Sequence, residues 1–197
     1  MNIVIIDSGV GAEEIIKTLL MKDLSNNYTL LLDKSFFPYG NKTKEQLENR
    51  YIYLLSKISD DVELVIIGCN TLSIMIDDFK TNKKVIDMIS ITKSYLETNN
   101  FSKVLMLGTY NTVLKNPFNT PFFIIVDELI EAIQYGDYEK QLQKLFSMID
   151  DSYDAIILGC THLIKVKNEF RNKFNCCIIS QDELIELPKS TVKIKEV

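Results

Sequence analysis

The chain has 197 residues, 46% of them hydrophobic and 25% charged, a composition that supports a sizeable folded core and excludes a disordered chain. Its net charge of -5 comes with lysines scattered among acids, which argues against a nucleic-acid partner and for a small molecule. No apolar run approaches the roughly 20 residues that span a bilayer. The apolar run at residues 3–6 is too short for a signal-peptide core and has no basic leader, so the expectation is a cytoplasmic protein with no membrane attachment.

In chain order, β-branched or leucine-rich runs at residues 2–6, 28–32, 62–67, 103–107, 122–126, 155–158 and 176–179 are expected as strands. Continuous apolar runs separated by helical stretches predict parallel strands buried on both faces, hence an α/β fold. Residues 43–59, with Leu47, Tyr51, Leu54, Leu55 and Ile58 on one stripe, predict an amphipathic crossover helix. Residues 182–187 predict a short helix, followed by a basic, proline-interrupted tail. Two segments repeat a pattern: Val65-Ile66-Ile67-Gly68-Cys69-Asn70-Thr71-Leu72 and Ile156-Ile157-Leu158-Gly159-Cys160-Thr161-His162-Leu163. The duplication predicts two similar α/β lobes with largely parallel sheets, related by a pseudo-twofold. The first lobe is expected over residues 1–90 joined by the tail 181–197, and the second over 91–180. Each lobe sets a cysteine at the carboxyl end of a strand, where open α/β sheets bind ligands, and the cleft between them is the expected site.

Four cysteines in a reducing compartment are not expected as disulfide staples, and none forms a CxxC pair that would suggest zinc, so no metal is expected. Cys176 and Cys177, within an apolar strand, read as small buried hydrophobes. Cys69 and Cys160 differ: each follows a strand and precedes a helix, where helix N-termini and neighbouring amides can lower a thiol pKa. Two facing thiols suit the inversion of an amino-acid Cα, because one thiolate removes the proton while the other thiol delivers one to the opposite face. Donors aimed at the substrate carboxylate would stabilise the carbanion, and Ser8, Asn70, Thr71 and Thr161 are candidates. No pyridoxal lysine, and no other cofactor, is then required.

Asp7-Ser8-Gly9-Val10-Gly11, Phe37-Pro38-Tyr39-Gly40, Cys69-Asn70-Thr71, Gly108-Thr109 and Gly159-Cys160-Thr161-His162 occur in the order found in glutamate racemases, and the chain resembles that family over residues 2–175. The resemblance implies that Cys69 and Cys160 are the acid/base pair, with Asp7 assisting Cys69 and His162 assisting Cys160. It implies that Asp7 and Ser8 contact the substrate ammonium, that Tyr39 and Gly40 border the pocket, and that Asn70, Thr71 and Thr161 bind carboxylates. His162 also separates glutamate-type members from aspartate racemases, whose motif typically ends in Glu. Glutamate is the implied substrate, D-glutamate for peptidoglycan the implied product, and a homodimer the implied assembly.

Family members are commonly several tens of residues longer, so the chain reads as a shortened member. Their usual Val-Glu-x-Gly reads Ile133-Gln134-Tyr135-Gly136 here, which puts Gln134 where an auxiliary acid normally stands. Leu72 replaces an Ala, and Leu163-Ile164 replace Tyr-Pro. Without the resemblance, a helix-capping turn residue is the alternative reading of Asp7, and the single histidine, His162, reads as a structural one. Gly9-Val10-Gly11 is a poor dinucleotide fingerprint, because Glu14 stands where the third glycine belongs, and Asp33 reads as a loop residue. The alternatives are a family racemase acting on another amino acid, such as aspartate, and a racemase-like scaffold that binds without turnover.

Overall fold

A computed structural model of the chain describes residues 1–76 and 81–188. The first lobe runs β1 (Asn2–Asp7), α1 (Gly11–Lys22), β2 (Asn27–Leu32), α2 (Lys44–Leu55), β3 (Leu64–Ile67), α3 (Asn70–Met75) and β4 (Lys84–Asp87). After α4 (Met88–Thr98), the second runs β5 (Val104–Gly108), α5 (Tyr110–Lys115), β6 (Phe122–Ile125), α6 (Asp127–Tyr135), α7 (Glu139–Met148), β7 (Ala155–Gly159), α8 (Lys167–Lys173) and β8 (Cys177–Ile179). Each lobe holds one four-stranded sheet, ordered β2-β1-β3-β4 and β6-β5-β7-β8, and every pairing is parallel. The orders are the same permutation, so Cys69 after β3 and Cys160 after β7 occupy equivalent places. Both follow a central strand at the point where the strand order reverses.

Alternation along the central strands supplies both faces of each sheet. In the first lobe, Val4, Ile6, Val65 and Ile67 pack with Leu47, Tyr51 and Leu54 of α2, whose start is fixed by a capping box between Thr43 and Gln46. Ile3, Ile5, Leu64 and Ile66 face the other way, onto Ala12, Ile15 and Leu19 of α1. In the second lobe, Leu105, Leu107, Ile156 and Leu158 meet Leu129, Ile133, Leu142 and Leu145 of α6 and α7. Helix α4 is shared: Met88 and Ile91 join the first lobe's core, Tyr95 and Leu96 that of the second. The expected boundary at residues 90–91 falls inside it.

The structure departs from the sequence reading in four places. Strand β4 was not expected, because it offers only Val85 and Ile86 between a lysine and Asp87. Strands β2 and β6 are edges and are not buried on both faces; Phe122, Phe123 and Ile125 are exposed. Cys176 and Cys177 are only partly buried. Instead of a helix over 182–187, a single 3₁₀ turn spans Gln181–Leu184, and the tail beyond residue 188 lies outside the described residues. That turn is pinned by Asp182, which accepts from Thr18 Oγ1 (2.5 Å), Ser180 Oγ (2.5 Å) and Lys167 Nζ (2.6 Å). Among the described residues no helix is long and apolar enough to cross a membrane.

Candidate active site

The chain leaves β1 at Asp7 and turns at once into α1. Asp7 is fully buried; one carboxylate oxygen accepts from Gly9 N (3.0 Å) and the other from Thr161 Oγ1 of the opposite lobe (2.8 Å). The close approach demands glycine at two positions. A Cβ on Gly68 would meet Asp7 Oδ2 at 2.8 Å, and one on Gly11 would stand 2.5 Å from both Cβ and Oγ1 of Thr161. Gly11→Ala should therefore cost about 1–3 kcal/mol by overpacking the seam between the lobes. Urea denaturation checks this, and an unchanged midpoint at unchanged slope would show that the seam can give way.

Cys69 and Cys160 line one cavity together with Ser8, Tyr39, Gly40, Asn70, Thr71, Thr161 and His162, which brings nearly all the expected residues to one place. Asp7 is the exception, standing behind the wall on Thr161. Phe37, Pro38, Thr109, Gly159 and Ile130 complete the lining, which contains neither lysine nor arginine, so an anionic group there would meet only uncharged donors. Tyr39 is fixed by donating to Asp33 Oδ2 (2.7 Å), and Arg50 Nε holds the same oxygen (2.7 Å). Asp33 is thus the support of the Tyr39 loop. The cavity is about 20 Å³, room for a water molecule but not an amino acid, so the lobes must part for any such ligand to enter.

Hydrogen bonds across the cleft hold it shut. Besides Thr161 to Asp7, Thr71 and Thr109 share a hydroxyl contact (2.9 Å), Asn111 Nδ2 donates to Gly40 O (2.7 Å), and Val10 N donates to Gln134 Oε1 (3.2 Å). Asn70 forms a reciprocal amide pair with Gln181, at 2.6 and 2.8 Å, which commits its carbonyl and one of its N–H groups. Gln181 also donates to Thr92 Oγ1 (2.8 Å), so the turn after β8 steadies one wall of the cavity. Gln181 and Thr109 were not assigned from the sequence. Thr109 stands in the quoted Gly108-Thr109 motif without a role, whereas Gln181 left no local signal at all.

Burial dominates the electrostatics. It lifts Asp7 to about 6, against hydrogen bonds from Thr161, Gly9 and Ser8 that pull the other way. It pushes the Cys69 thiol up to about 12, with the negative charge of Asp7 adding to it and the Leu72 and Thr71 N–H groups opposing. Cys160 is raised well above the ordinary thiol value by burial first and then by Cys69. His162 is lowered to about 4 by burial, with Lys165 adding repulsion. At neutral pH the closed site therefore holds two thiols, a neutral imidazole and a largely ionised carboxylate. His162 Nδ1 lies 3.8 Å from Cys160 Sγ, and its Nε2 lies 2.8 Å from Gln134 Oε1. Among the described residues no three His, Cys, Asp or Glu side chains group as a metal site.

The sequence and the fold have counterparts in known proteins. The glutamate racemase of Limosilactobacillus reuteri (strain DSM 20016) is 25% identical over 209 residues, covering 96% of this chain and 77% of that protein. That of Buchnera aphidicola subsp. Acyrthosiphon pisum (strain Tuc7) is 29% identical over 195 residues, covering 85% and 73%. The chain is similar to glutamate racemases over most of its length. No family model matches it. Of solved racemase structures, the Bacillus anthracis isoform RacE1 superposes with a TM-score of 0.81 at 18% identity, covering 92% of this chain and 77% of that one. The Thermus thermophilus enzyme, in complex with β-chloro-D-alanine, gives 0.78 at 20%, covering 93% and 76%. The Picrophilus torridus aspartate racemase gives 0.68 at 22%, covering 92% and 90%. These likenesses extend to the two-lobed racemase fold.

Proposed function

We propose that the chain is a cofactor-independent racemase that interconverts L- and D-glutamate by proton transfer between Cys69 and Cys160. One observation carries the reading: two thiols, delivered by equivalent strand ends of the two sheets, share the wall of one buried cavity. Such a pair can flank a Cα, one sulfur taking its proton as the other supplies one to the far face, and the roles exchange in the reverse direction. The resting thiols lack a cation to favour the thiolate. Glutamate brings one: its ammonium, where it lies nearer the sulfurs than either carboxylate does, would lower the thiol pKa values on binding. The developing negative charge at Cα spreads into the substrate carboxylate, and the hydroxyls of Thr71 and Ser8 with the free N–H of Asn70 are the donors for it, with the Thr161 hydroxyl joining them once it turns from Asp7. His162, in place of the Glu typical of aspartate racemases, favours glutamate. The relatives' names agree with that choice. The product would be D-glutamate for peptidoglycan, made in the cytoplasm, where two free thiols stay reduced.

Purified protein is to be incubated with L-glutamate, D-glutamate and each aspartate enantiomer in D2O. Rapid Cα deuterium incorporation with racemisation of glutamate alone is the expected result. Faster turnover of aspartate would move the substrate within the family, and no exchange into any amino acid would leave a binding scaffold.

A further inference from the structure

Gln134 sits on α6, at the position where the chain has no auxiliary acid, and its amide oxygen is used twice. It accepts from Val10 N at 3.2 Å and lies 2.8 Å from His162 Nε2. The first contact settles which atom of the amide this is, because a backbone N–H can only donate and so faces an oxygen. The second then requires that Nε2 carry the ring's proton. Turning the ring over would set carbon against both Gln134 and Cys160 and lose both contacts. A neutral imidazole has one N–H, so its Nδ1, 3.8 Å from Cys160 Sγ, is left with a bare lone pair. Glycine at position 9 makes room for this arrangement: a Cβ there would fall against both Gln134 Oε1 and His162 Nε2, closer than atoms approach. Phe37 covers one side of the ring, with centroids 5.4 Å apart.

We propose that Gln134 is a positioning residue that locks His162 in the Nε2–H tautomer, so that Nδ1 stands ready to take the Cys160 proton. When Cys160 acts as base, its S–H bond breaks and an Nδ1–H bond forms, giving a thiolate beside an imidazolium; the proton returns when Cys160 acts as acid. Gln134, unlike a carboxylate, accepts the Nε2 hydrogen bond without bringing a negative charge. The other groups around the ring are Lys165 on its own turn, the Cys160 thiol, and Asp7 reached through Thr161. None of them favours a standing imidazolium except Asp7, whose carboxylate is already engaged by two donors. The pair therefore rests as thiol and imidazole.

The catalytic meaning of the lock rests on the racemase reading, but the lock can be read without activity. His162 is the only histidine, so protein labelled with 15N-histidine gives one ring in long-range 1H–15N correlation spectra. At pH 7 the expected spectrum shows a protonated Nε2 and a bare Nδ1. Gln134→Leu should admit the other tautomer and lower kcat for glutamate about tenfold or more, part of the roughly 10²–10⁴-fold that a positioned acid or base contributes. Gln134→Glu should keep Nε2–H and raise the ring's titration midpoint by about 1–3 pH units, the effect of an opposite charge at hydrogen-bond distance. An Nδ1–H tautomer or an imidazolium in the parent protein overturns the proposal. So does a Gln134→Leu spectrum identical to the parent's; if that variant does not fold, an unshifted midpoint in Gln134→Glu has the same force. Loss of racemisation in every sample, with the parent tautomer as expected, would count against the racemase reading alone.

Discussion

Replacing either Cys69 or Cys160 with alanine should lower glutamate racemisation by about 10²–10⁴-fold or more, because each inversion needs both a proton acceptor and a proton donor on opposite faces of one carbon. Both thiols line the same cavity and belong to equivalent strand ends, so neither is a spare for the other. Serine should rescue neither, since a hydroxyl is far less acidic than a thiol and makes a poor base in a site where even thiols are held protonated by burial. The decisive observation is one-sided chemistry. A glutamate bearing a leaving group at Cβ needs only removal of its α-proton for elimination, and the eliminated product hydrolyses to a 2-oxo acid and ammonia. A variant with one remaining thiol should carry this out on the enantiomer that presents its Cα–H to that sulfur. The Cys69→Ala and Cys160→Ala variants should therefore prefer opposite enantiomers. Racemisation of glutamate by Cys160→Ala at the parent rate would end the two-thiol assignment, and a shared preference for one enantiomer would show that the sulfurs do not flank the carbon.

The fold was legible wherever burial was two-sided. Val65, Ile66, Ile67, Ile156, Ile157 and Leu158 form unbroken apolar runs because α-helices cover both faces of the central strands, and the duplicated Gly-Cys following them revealed the symmetry of the lobes. Strand β4 was invisible for the converse reason. As an edge strand half-open to solvent, it needs only two apolar residues, and its Asp87 doubles as the cap of α4 by accepting from Ile89 and Ser90. The site was legible where it lies at strand ends, since Asp7, Cys69 and Cys160 each close an apolar run. It was not legible where it depends on partners far along the chain. The Asn70–Gln181 pair joins residues 111 positions apart, and nothing in the flanking sequence of either marks the other. Gln134 lies between these cases. Its departure from the family pattern was visible, but its double contact with Val10 and His162 depends on how the lobes close.

Asp7 and His162 should give the protein opposing pH dependences of stability that nearly cancel, and single variants should separate them. Burial holds Asp7 at about 6 in the folded chain, above its ordinary 3.8. Between these values the folded state binds more protons than the unfolded one, so stability is lost as pH rises through about 4 to 6. His162 runs the other way: its folded value of about 4 lies below the ordinary 6.5, so the unfolded state binds more protons and stability is gained as pH rises from about 4 to 6.5. Each shift of about two units corresponds to about 3 kcal/mol. Asp33, Asp182 and Glu183, held low by Arg50, Lys167 and Arg171, act at more acid pH and are common to all the variants. Asn at position 7 keeps both hydrogen bonds, accepting from Gly9 N and donating to the Thr161 hydroxyl, while removing the buried charge. Relative to the parent, Asp7→Asn should therefore gain about 3 kcal/mol between pH 4 and 7 even as it loses activity, the exchange of stability for function expected of a catalytic carboxylate. His162→Gln should fall relative to the parent by a similar amount over the same range. Urea denaturation at pH 4, 5, 6 and 7 measures both differences. A difference between Asp7→Asn and the parent that stays constant with pH would mean that the Asp7 carboxyl titrates normally in the folded chain and that its charge is not confined by the closed cleft.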